Sequence, residues 1–95
     1  MLGQTVLNNL LNDLQIKLQR ESAKSAQSTL KIQNDIAKVK LSIYENDYNN
    51  LKQERAIQLL ENLIFNNQIN DQQILSESYL KLSKWIFDFK DQQLK

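Results

Sequence analysis

The chain contains no proline and a single glycine, Gly3. A β-rich fold of this length needs several tight turns, and tight turns draw on Gly and Pro for backbone geometries that other residues resist. Their near absence, beside abundant Leu, Gln, Lys and Ile, predicts an all-α protein. The turns must then fall to Asn, Asp and Ser, whose short side chains hydrogen-bond local backbone. Such residues gather at 46–50 (NDYNN) and at 66–70 (NNQIN). The 95 residues suit one domain, long enough to bury roughly two thirds of the unfolded surface.

Apolar spacing divides the chain into helices. Leu7, Leu11, Leu14 and Leu18 form a stripe at helical period, flanked by Val6 and Leu10, which predicts a helix over about 5–20. The stretch 19–29 carries no large apolar side chain. It reads either as a turn near 21–25 or as continuous helix in which Ala23 and Ala26 admit a close neighbour. The apolar set beyond it, including Ile32, Ile36, Val39 and Ile43, is rotated by roughly a third of a turn from the first stripe at ~100° per residue, which favours the turn. Helices over about 24–46, 51–65 and 71–92 complete the reading. Asn50-x-x-Gln53 and Asn70-x-x-Gln73 have the form of capping boxes before the last two. The segment 56–65 (AIQLLENLIF) is apolar on most sides and is expected at the centre of the core. Short connections make successive helices antiparallel. The expected fold is a small antiparallel bundle of four helices, or of one long helix packed against two shorter ones.

Composition closes off several kinds of chemistry. Without Cys or His there is no disulfide, thiolate or imidazole metal site, Cys nucleophile or His base. A lone Gly at position 3 rules out a Gly-rich phosphate loop. No metal and no cofactor is therefore expected. Twelve basic residues against eleven acidic, mixed along the chain, argue against a nucleic-acid surface. Lys17, Lys24, Lys31, Lys38 and Lys52 share a seven-residue frame, which reads as the solvated face of amphipathic helices. No apolar run approaches the ~20 residues of a membrane span. The first residues, MLGQTVLNNLLNDL, lack the positive start and cleavage site of a signal peptide. A cytoplasmic location is expected, with leaderless secretion as the other possibility. Eleven Asn and twelve Gln are interleaved with the helical apolar pattern, unlike a prion-like tract.

Two families offer comparisons. The segments AKVKL (37–41), KQER (52–55) and DFKDQQL (88–94) resemble the order of elements in helical chorismate mutases, which are of this size. That resemblance implies a small all-α enzyme whose Arg and Lys side chains clamp a dicarboxylate. The chain departs from it in having only Arg20 and Arg55 and no arginine early in the first helix. The run Phe87-Asp88-Phe89-Lys90-Asp91 resembles the aromatic-x-x-x-acid signal of small helical hairpins exported by type VII secretion systems. That resemblance implies a secreted hairpin or a partner of such a system, although the usual Trp-x-Gly turn is missing.

The residues themselves favour a non-catalytic helical module for protein–protein interaction, of the kind found among immunity proteins, inhibitors, chaperones and accessory subunits. The last helix carries four of the seven aromatic residues. Leu75, Tyr79, Leu82, Ile86 and Phe89 form its central stripe and are expected in the core. Leu80 with Phe87 lies on one flank and Trp85 on the other. Four short helices do not easily cover a stripe and both flanks. Leu80, Trp85 and Phe87, with Asp91 one turn beyond Phe87, are the candidate contact residues for a protein partner or a second copy. No residue is a catalytic candidate.

Overall fold

The computed structural model describes residues 3–21, 26–66 and 68–93. These form a small all-α bundle of four helices: α1 (Gln4–Glu21), α2 (Ala26–Asn49), α3 (Gln53–Phe65) and α4 (Gln72–Gln93). Among the described residues there is no strand.

The expected turn at 21–25 lies largely outside the described residues, but the helices on either side establish the reversal. The Gln4 side chain is held at the far end of α2. Its Nε2 donates to Asp47 Oδ1 at 3.2 Å, and Asn46 Nδ2 donates to its Oε1 at 3.2 Å. In one continuous helix residues 4 and 47 would stand roughly 64 Å apart, at ~1.5 Å per residue. So α1 folds back antiparallel on α2. Lys40 Nζ reaches Gln68 Oε1 at 2.9 Å, just past the end of α3, while Arg55 near its start approaches Asp47, so α3 is antiparallel to α2 as well. Three contacts then run up α2 and α4 in step: Asn70 to Gln33, Lys81 to Glu45 and the Trp85 carbonyl to Tyr48. Those two helices are parallel, as up-down-up-down connectivity requires.

The core has two unequal parts. The larger joins α2, α3 and α4 through Ala37, Ala56, Ile57, Leu60, Leu63, Ile64, Ile69, Ile74, Leu82 and Trp85. As expected, α3 supplies its centre. The smaller lies between α1 and a second face of α2, where Leu7 of α1 and Ile32, Ile36 and Ile43 of α2 are buried outside that cluster. So α2 buries two faces, one toward α1 and one toward α3 and α4. Packed on α2 alone, α1 makes no close approach to α3 or α4. Of its leucine stripe only Leu7 is fully buried, and Leu11, Leu14 and Leu18 are half-buried.

Three helix ends differ from expectation. The segment 46–50 does not end α2 at its first Asn; the helix runs on to Asn49. Asn46 and Asp47 are buried under Gln4, so tertiary hydrogen bonds hold residues of weak helix propensity in the helix. The stop comes at Leu51, whose φ of 67° is left-handed. Lys52 N then donates to Asp47 O at 2.9 Å, the six-to-one bond of a Schellman motif, with Leu51 where glycine is usual. Gln53 opens α3 after Lys52, whose side chain makes no capping bond, so Asn50 does not cap it. At α4 the cap is Asp71 rather than Asn70. Its Oδ1 accepts from the backbone N–H of Gln73 at 2.8 Å and of Ile74 at 3.1 Å.

Candidate functional site

The buried line of α4 is Ile74, Ser78, Leu82 and Trp85. It is turned by about 60° from the stripe through Leu75 and Phe89, at ~100° per residue. The turn has a packing cause. To meet both α3 and α2, α4 places Trp85 toward α2, where its ring stacks on Tyr48 with centroids 4.7 Å apart and planes 11° apart. The Tyr48 hydroxyl donates to the Trp85 carbonyl at 3.5 Å. Burial, with the charge of Asp88 second, raises the Tyr48 pKa above that of a free phenol. Trp85, expected on an open flank, is only 6% exposed and belongs to the core, where it cannot meet a partner without unfolding. Ser78 occupies the middle of the line, fully buried. Its hydroxyl donates to the Ile74 carbonyl at 2.7 Å, so the small polar side chain enters the core without an unpaired group.

The same rotation carries the other candidates outward. Leu80 and Phe87 stand nearly opposite the buried line and are 73% and 71% exposed. Two turns apart on one ridge, they form its crest. Tyr79, expected in the core, is exposed beside Leu80 and makes an edge-to-face contact with Phe65, itself 62% exposed, at 6.3 Å between centroids. Phe65 closes the segment 56–65 expected at the centre of the core, but at the last position of α3 it lies outside that core. Tyr79, Leu80 and Phe87 give α4 an outward apolar surface, with Phe65 of α3 beside Tyr79. Ser76, Ser83, Lys84 and Lys90 on the same side of the helix are exposed around it. Asp91 is exposed one turn beyond Phe87.

A second feature lies across the molecule, where α1 stands clear of α3. The gap is a groove of about 490 Å³ with Leu11, Ile43 and Leu59 along it and Lys40, Tyr44, Asp47, Lys52 and Arg55 around it. Lys40 comes from AKVKL, and Lys52 and Arg55 from KQER; the fold brings these segments to one place. The third segment lies elsewhere, with Phe89 and Lys90 against α3 near Gln58 and Glu61. Burial pulls the Lys40 ammonium pKa below the usual lysine value. Burial, and then the charge of Asp47, raises that of Tyr44 and keeps its phenol protonated. Nothing in the residue pattern foretold this groove, because it depends on α1 being held by α2 alone.

Among the described residues no group of three or more potential metal-ligating side chains gathers, and no helix is long and apolar enough to cross a membrane. No protein-family model, curated protein or solved structure matches the chain.

Proposed function

We propose that this chain is a non-catalytic helical interaction module whose contact surface is the outer ridge of α4. One observation carries the reading: Leu80 and Phe87, two large apolar side chains on one ridge, face away from the core with most of their surface in water. Only a minor part of either is covered by the bundle, so their apolar character adds little to its stability. Apolar anchors with polar residues around them have the anatomy of a contact patch. The adjoining Phe65–Tyr79 pair widens it. The partner is a protein with a complementary apolar surface, or a second copy, in the manner of an inhibitor, chaperone or accessory subunit.

Phe87→Asp tests this reading. It places a charge at the crest without touching the core. The expected variant melts as the parent does, yet loses self-association by light scattering or loses the partner captured by the parent from its native cell. A variant with every association intact, or one that melts far below the parent, refutes the assignment of this ridge.

A second reading has one observation in its favour. Phe87 and Asp91 are both exposed and lie one turn apart on α4, the display that an aromatic-x-x-x-acid export signal requires. Secretion that is abolished by Asp91→Ala, with Phe87→Asp affecting export alone, would favour it.

A further inference from the structure

We propose that the groove between α1, α2 and α3 binds a small organic anion, an apolar body carrying one anionic head. The site is independent of the α4 ridge and lies on another side of the bundle. Its volume of about 490 Å³ falls within the range of small-molecule sites. Its length is apolar at Leu11, Ile43 and Leu59, suited to a hydrocarbon or aryl body.

The charges around it are unequal. Lys40, Lys52 and Arg55 face a single carboxylate, Asp47. That carboxylate is already engaged by Gln4 Nε2 at 3.2 Å and approached by Arg55 Nε at 3.9 Å. Lys40 stands between this groove and the neighbouring concavity of Gln15 and Leu18; at the surface it donates to a neutral amide there, Gln68 Oε1, and it meets no carboxylate among the described residues. A half-buried ammonium with only a neutral partner lacks its counter-charge, and an anionic ligand supplies one. The first turn of α3, just beyond Lys52, has no side-chain cap, and the positive end of its dipole is partly offset by Glu54 in the same turn. The neutral phenol of Tyr44 is a further donor on the wall. A polyanion fits less well. The chain's net charge is only +1, and these cations border a short concavity rather than an extended stripe.

The test is a titration of the full chain, followed through its backbone amide NMR signals. Octanoate and phenyl phosphate are the anionic probes and 1-octanol the uncharged control. Either anion is expected to produce saturable shifts centred on residues 40, 44, 52 and 55, with 1-octanol producing none there. Lys52 and Arg55 are exposed, so K52Q/R55Q should fold as the parent does, verified by its melting curve. The loss of two charge-assisted contacts should weaken anion binding about tenfold or more. K40Q should weaken it without lowering stability, since it removes a poorly solvated charge. Four results would overturn the proposal. They are no saturable shift with either anion up to about 10 mM, equal binding of 1-octanol, shifts confined to α4, and unchanged affinity in K52Q/R55Q.

Discussion

Replacing Leu51 by glycine should stabilise the protein. At Leu51 the backbone φ is 67°, a conformation in which the β-carbon crowds the following carbonyl at a cost of roughly 1–2 kcal/mol. The side chain is 89% exposed, so deleting it sacrifices almost no burial. Glycine removes the crowding but makes the unfolded chain more flexible, which returns about 0.4–1 kcal/mol. The difference is a gain centred near ~0.8 kcal/mol, or about 3–6 °C in Tm for a domain of this size. Leu51→Ala is the control. It keeps the β-carbon and therefore the crowding, and should stay within ~0.5 kcal/mol of the parent. Urea unfolding followed by circular dichroism measures all three proteins under one set of conditions. If the glycine variant is no more stable than the parent, or alanine stabilises as much as glycine, the account of this turn is wrong. Such a result would mean that the Schellman bond from Lys52 N to Asp47 O holds the turn without strain.

Further outcomes follow from the core and its titrating groups. Ser78→Ala should cost at most about 1 kcal/mol, since it removes one hydroxyl whose acceptor already belongs to a helix, whereas Ser78→Leu should cost about 1–3 kcal/mol or more by overpacking; equal melting temperatures for the two would contradict full burial at this position. Stability should fall above pH 10. Tyr44 and Tyr48 have folded pKa values raised above the ordinary 10.0, so their contribution is complete below that pH and is lost as pH rises through the folded values. Lys40 acts in the opposite sense, because its lowered pKa means that the burial penalty disappears as pH climbs toward 10.5. Above 10.5 the amine's effect is spent and the phenols set a downward slope, which Tyr48→Phe should flatten; an unchanged slope in that variant would exclude Tyr48 as a source.

The helices themselves were legible because their evidence is local. Apolar residues at a 3.6 period, few helix breakers and Asn-rich gaps are all written in short windows of sequence. What escaped was set by contacts between distant residues. Apolar size points to a different burial line on α4, because it passes over a serine whose hydroxyl is satisfied within its own helix. Once Ser78 is admitted to the core, Trp85 moves inward and Tyr79 outward. Residue type also places the end of α2 too early, for a related reason. Asn46 and Asp47 look like turn formers, yet they are held in the helix by Gln4, more than forty positions away. The true stop, a leucine in a left-handed conformation, carries no residue-type signal at all. Leu80 and Phe87 were placed on a flank expected to stay partly open, and they lie further out than that, at the crest. The groove was not anticipated, since sequence periodicity indicates which face of α1 is apolar and not how many helices will cover it.

The attachment of α1 to a single neighbour gives the molecule two tiers of cooperativity. Lifting α1 away costs the burial of Leu7 and uncovers Ile32, Ile36 and Ile43, while the core of α2, α3 and α4 stays closed. Amides of α1 should therefore exchange with solvent through an opening well below the free energy of global unfolding. The uncovered face of α2 is complementary to any copy of α1, its own or that of another molecule. At high concentration this creates a route to reciprocal exchange of α1 between two chains. In such a dimer the groove beside Lys40 would be walled by one chain's α1 and floored by the other's α2, so that ligand affinity and assembly would become a single equilibrium.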